Sequence, residues 1–264
     1  MSISKVDGGE RFAFGEPVRE VRQVDRGRKR VFVLGVYASA VHAKWVGVDG
    51  RVRVQALAVA SEPYIFWRGE GAEVIINRVR IPAAAGRLVT PQEGFNGPSG
   101  VALDDMYLAP LGLARRDAWL CDLLPKSCMN PGQAAAIARE YKPARTIYDL
   151  PPVTWEAEPE VLANDKRREE ILLEMEESGA GELILLGDKP IKWFLARHDT
   201  RFRRLADFGT AVDRYGQIVE SRIGGRVWQV RGLVHPHQAA KLGKWNAAWF
   251  ELHRQWVEAQ QAAR

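Results

Sequence analysis

Four short, largely apolar runs constrain this chain more than any other feature. They are Val31–Leu34, Ala118–Cys121, Glu182–Leu186 and Val227–Val234. Each stops at a glycine or a polar loop: Gly35, Asp122, Gly187 and His235-Pro236 respectively. Runs of this length, bounded in this way, read as buried strands. Helical signals lie between them. Asp104–Leu113 closes at Gly112, Gln133–Tyr141 is apolar-periodic, and Asn164 caps a segment that runs to Glu177 before Gly179. Strands alternating with helices predict an α/β fold, a single α/β/α sandwich around a mostly parallel sheet of about four strands. The Pro-rich stretch 142–159 is expected to be a connector. Trp245, Trp249, Leu252 and Trp256 are spaced four, three and four apart, which predicts the buried stripe of a last helix.

Residues 1–30 read as a polar N-terminal extension and residues 31–264 as one domain. A β-rich insertion is expected at about 46–92. It opens with the Val48-Asp49-Gly50 turn and the alternation Arg51-Val52-Arg53-Val54, and continues in a second β-rich stretch from Glu73 to Ile81.

Composition removes several classes. No run of about 18 apolar residues is present, so no membrane span is expected. The first 29 residues lack the apolar core of a secretory signal. Two cysteines, Cys121 and Cys128, are too few for a disulfide framework or a four-cysteine metal centre. The reading is therefore a cytoplasmic, monomeric protein with no cofactor, metal or iron–sulfur cluster. The formal charge of +5 permits attraction to a polyanion without demanding it. Basic groups cluster in Arg26–Arg30, Lys166–Arg168 and Arg201–Arg204.

In open α/β sheets, ligands bind beyond the carboxyl ends of the strands. Three polar segments sit at such positions, and a fourth lies between them. Gly35-Val36-Tyr37-Ala38-Ser39-Ala40-Val41-His42 follows the first strand. Gly94-Phe95-Asn96-Gly97-Pro98-Ser99-Gly100 offers a ring for stacking and an amide with both donor and acceptor. Asp122 follows the second strand, ahead of Cys128-Met129-Asn130-Pro131. His235-Pro236-His237-Gln238 leads on to Lys241 after the fourth. Taken singly, each segment is equally well explained as a turn or cap.

As an ordered set they resemble the uracil-DNA glycosylase superfamily, over roughly residues 30–42 and 94–257. Phe95, Gly97, Ser99 and Gly100, followed by Leu111-Gly112-Leu113, are similar to the thermostable branches. His235-Pro236 is similar to the family's His-Pro-Ser motif, and Glu182–Gly187 to the strand before it. The resemblance implies a DNA partner and a base flipped out of the duplex. Gly35, Tyr37, Ser39 and Phe95 would contact that base. His235 would stabilise charge on the departing base. Ser99, His237, Gln238 and Lys241 would touch the strand.

The chain departs from the family in two places. The first motif normally supplies an Asp, Asn or Glu to position water, but Val36 and Tyr37 stand here. Asn96, Asp122, or His42 through a relay are the candidates for that task. The second strand's loop normally presents Asn, and Asp122 replaces it. An ionised Asp only accepts hydrogen bonds, which would favour a base with an exocyclic amine, such as a modified cytosine. The expected function is a monofunctional DNA glycosylase acting on a damaged or modified base, including the glucosylated cytosines of phage genomes in a defence role. The alternatives are a uracil-DNA glycosylase of base excision repair, a catalytically silent DNA-binding relative, and an unrelated nucleotide or sugar hydrolase.

Overall fold

A computed structural model describes residues 9–263. Eight strands divide into two sheets. The larger contains β1 (Val31–Tyr37), β5 (Ala118–Leu124), β6 (Glu182–Leu186), β7 (Ile218–Ile223) and β8 (Arg226–Leu233), in the order β5-β1-β6-β8-β7. All neighbours are parallel except β7, which runs antiparallel to β8 at the edge. The sheet thus has five strands rather than about four. The extra strand is joined to β8 by Gly224-Gly225, both at positive φ, the backbone that a two-residue hairpin turn requires.

The smaller sheet is antiparallel, in the order β3-β2-β4, from β2 (Ala40–Val46), β3 (Val52–Ser61) and β4 (Arg87–Val89). The expected insertion is real but begins earlier, because His42 already lies in β2. Its second half is not β-rich. Residues Ala72–Ile76 form a short helix, α1, that buries Ala72 and Ile76 one turn apart against the smaller sheet. The β-branched run Val74-Ile75-Ile76 reads as a strand only in the absence of that packing.

The chain then forms α2 (Pro98–Leu103), which continues through a π-helical turn over 104–108 to a left-handed Gly112. After β5 come α3 (Pro131–Ala136) and α4 (Lys142–Tyr148), joined by a second π-helical turn. The connector therefore starts at Asp149, not Lys142. Pro143 is tolerated because it falls in the first turn of α4. Helix α5 (Asp165–Ser178) is capped by the Asn164 side chain, which accepts from Arg167 N, and ends at a left-handed Gly179. It is followed by α6 (Asp188–Trp193), the single turn α7 (Pro236–Ala239) and α8 (Ala247–Ala262). Trp249, Leu252 and Trp256 pack against the main core as their spacing predicts, but Trp245 precedes the helix and is 40% exposed.

Helices cover both faces of the main sheet. On β5, Trp119 and Cys121 face α5, where they meet Glu174 and Arg167. Asp122 points the other way, towards Phe66, whose carbonyl abuts Gly100 of α2. A second core joins the smaller sheet to α3, α4 and the N-terminal segment. Phe12, Phe14, Trp45, Tyr141 and Trp155 meet there. The N-terminal extension is thus structural from residue 9 onward; residues 1–8 lie outside the described part. Among the described residues, no helix is long and apolar enough to cross a membrane.

Candidate active site

Strand order decides where the site lies. From β1 the next strand of this sheet, β5, lies on one side, and from β6 the chain passes to β7 and back to β8 on the other. The crevice between β1 and β6 is therefore a topological switch point, the place where open α/β sheets bind ligands. A cavity of about 490 Å³ opens there. The ends of β1, β6 and β8 line it, with Ser99 of α2 and Trp249 of α8.

Six of the residues anticipated from sequence line this cavity: Tyr37, Ser39, Ser99, His235, His237 and Gln238. The other six, Gly35, His42, Phe95, Asn96, Asp122 and Lys241, lie outside its lining. Asn96 holds the loop after Gly94 to β2. Its Oδ1 accepts from His42 N at 2.8 Å and its Nδ2 donates to His42 O at 3.0 Å. His42 is half-buried, and its Nδ1, itself shielded from solvent, has no partner. Phe95 is 42% exposed on the surface. The Lys241 ammonium stacks 4.0 Å above Phe250 and 5.2 Å above Trp245.

Asp122 is buried beneath the floor of the β1 loop. It pairs in register with Gly35, where any side chain would overlap both the Asp122 carboxyl and the Phe66 ring. Burial, and next the nearby Glu62, push the Asp122 carboxyl well above the ordinary carboxylate range. Sealed there and outside the cavity lining, Asp122 is not positioned to read a base edge in that cavity. Glu62, from the end of β3, is also buried. Its two oxygens accept from Ser39 N at 3.1 Å and Trp67 N at 3.3 Å.

The His235 loop is the most constrained part of the site. The Gln238 carbonyl accepts from Asn246 N at 2.6 Å, so its amide nitrogen is the atom 2.9 Å from His237 Nε2. An amide nitrogen only donates, so His237 Nε2 is the bare nitrogen and Nδ1 holds the proton. His237 Nδ1 lies 3.0 Å from His235 Nδ1, which also accepts from His237 N at 3.2 Å. The chain of bonds therefore leaves His235 protonated on Nε2 alone. Burial, then His237 and Lys189, push the His235 ring down to about 3, so it is neutral at physiological pH. Gly187, at φ +87°, packs against this ring's base; a Cβ there would sit 3.2 Å from His235 Cβ.

No protein-family model matches the chain, and no curated protein matches it.

Four residues escaped sequence reasoning. Asp188 and Lys189 line the cavity just past the end of β6. Their signal was available: polar residues directly after an apolar strand and a glycine. Lys189 is paired with Glu158 at 2.6 Å and lies 5.5 Å over the Tyr37 ring. Glu62 and Phe66 carry no such signal, because only the packing of the insertion brings them under β1. Among the described residues, no cluster of three or more His, Cys, Asp or Glu could hold a metal ion.

Proposed function

We propose that this protein is a monofunctional DNA glycosylase, removing a modified pyrimidine by hydrolysis of its N-glycosidic bond. The observation that carries the reading is the hydrogen-bond chain Gln238–His237–His235. It fixes a neutral imidazole with one N–H on Nε2, on a residue that lines a cavity at the switch point. As a glycosidic bond lengthens, negative charge gathers on the departing base. A positioned donor in a dry site stabilises that charge far better than water does. A protonated imidazole is not needed, and the His235 ring, its pKa pushed down to about 3, resists becoming one.

The cavity's size and lining favour a base larger than uracil. A space of about 490 Å³ falls within the range that encloses a drug-sized ligand and exceeds the needs of one pyrimidine ring. Hydroxyls of Tyr37, Ser39 and Ser99 suit a polar substituent, such as the sugar of a glucosylated cytosine. Reaching this cavity requires flipping the nucleotide, at a cost of about a few kcal/mol. The exposed cations Arg203, Lys241 and Lys244 lie close in sequence to the lining residues Leu205 and Gln238 and could meet phosphates. A defence role against phage DNA follows from that substrate.

The test is incubation with duplexes carrying uracil, hypoxanthine, hydroxymethylcytosine or glucosylated cytosine, followed by alkali. We expect strand breaks at the modified cytosine. His235→Ala should lower the single-turnover rate about 100- to 1000-fold, the usual cost of deleting one such donor. Absence of abasic sites in every duplex would refute the reading, and cleavage of uracil alone would refute the modified-cytosine assignment.

A further inference from the structure

A hydrolytic glycosylase must also hold the attacking water, and the loop after β1 carries no carboxylate to do so. We propose that Asp188 is the catalytic carboxylate that orients this water and takes its proton. This rests on the glycosylase reading above.

The other candidates for this task are engaged elsewhere or lie outside the cavity lining. The Asn96 amide is spent on both main-chain groups of His42. His42 lies in β2, outside the cavity lining, with its Nδ1 shielded from solvent. Asp122 lies under Gly35 and Phe66. Both Glu62 oxygens are occupied by backbone N–H groups. Asp188 is the sole carboxylate among the residues lining the cavity, and it is solvent-exposed.

Leu186 and Leu233 are register partners on β6 and β8, and neighbouring strands lie about 4.8 Å apart. Asp188 and His235 each stand two residues beyond that pair, so the sheet delivers both groups to the same end of adjacent strands. Gly187 keeps the two loops in contact, its N–H donating to Leu233 O at 2.7 Å. The carboxylate is also half anchored. Asp188 Oδ1 accepts from Leu205 N at 2.7 Å, while Oδ2 has no protein partner among the described residues. The adjacent Lys189 does not neutralise it, being paired with Glu158. A carboxylate fixed through one oxygen and open at the other is built to grip a water.

The chemistry balances without a further reactant. The water oxygen bonds to the sugar carbon as the carbon–nitrogen bond breaks. The bonding pair leaves with the base, whose charge His235 Nε2–H stabilises. The water's proton passes to Asp188 and from there to solvent or the released base. The products are an abasic site and the free base.

Asp188→Asn tests this cleanly, because Asn keeps an acceptor for Leu205 N while removing the base. On whichever of the four duplexes the wild type cuts fastest, the single-turnover rate should fall about 100- to 1000-fold, within the range for general-base removal. Duplex affinity and thermal midpoint should stay at wild-type values. A variant within about tenfold of the wild-type rate would overturn the role of Asp188 and leave the glycosylase reading intact. So would a rate loss matched by an equal loss of affinity or by a lowered midpoint, which marks a structural cap. Turnover abolished in Glu62→Gln or Asp122→Asn but kept in Asp188→Asn would move the role to that residue. A wild type inert on all four duplexes would overturn both proposals together.

Discussion

Glu62 illustrates how far one buried group can depend on its surroundings. Burial raises its carboxyl from the ordinary 4.5 to about 7, with Ser39 N, Trp67 N and Arg115 pulling the other way. The folded protein therefore keeps this proton at a pH where the unfolded chain has lost it. Stability falls as pH rises from about 4.5 to about 7 and is level above that, a contribution of about 3 kcal/mol at 1.36 kcal/mol per pH unit. Asp122 acts in the same direction. Urea unfolding from pH 5 to pH 8 checks this: the decline should be shallower in Glu62→Gln, which has no proton to lose. Parallel pH profiles for wild type and variant would exclude it. At this scale the sequence was informative where side chain and strand end coincide, as at His235, Tyr37 and Ser39. It was silent on Glu62 and Phe66, which are remote from β1 in the chain and reach it only through the insertion.

Among the elements, those with local punctuation were legible. Helix α5 begins at Asn164 and ends at Gly179, and both residues do the work their chemistry suggests, one accepting from Arg167 N and the other turning left-handed. Strand β7 was missed because its half-exposed pattern alternates with Glu220 and Arg222 and lacks the apolar run of an inner strand. The four-three-four spacing places Trp245 on the α8 stripe, but Asn246 caps the helix one residue later. That cap predicts a modest cost. Asn246 Oδ1 accepts from Ala248 N at 2.9 Å and Trp249 N at 3.2 Å, so Asn246→Ala should lose about 1 kcal/mol in urea unfolding. The bond to Gln238 uses the main-chain N–H of residue 246, so the histidine chain should survive and the variant should keep its excision rate. A large drop in rate would mean that the α8 cap also sets the His235 geometry.

For the molecule as a whole, the three-stranded sheet is not an appendage. Its residues share a core with Phe12, Phe14, Tyr141 and Trp155, and it supplies Glu62 to the β1 loop. Deleting residues 40–92 behind a short linker would leave those aromatics facing solvent. We expect such a deletion to lose cooperative thermal unfolding by circular dichroism; a folded, cooperative product would show the larger sheet to be self-sufficient. The alternation of apolar runs and helical segments determined the α/β class, the parallel sheet and the strand ends that carry polar groups, because burial periodicity and turn chemistry are written in neighbouring residues. Which of those groups meet was decided only by tertiary structure. Strand order placed the crevice between β1 and β6, brought Asp188 beside His235, sealed Asp122 beneath Phe66, and tied Asn96 to His42. Such pairings depend on contacts between distant segments, and local periodicity carries no record of them.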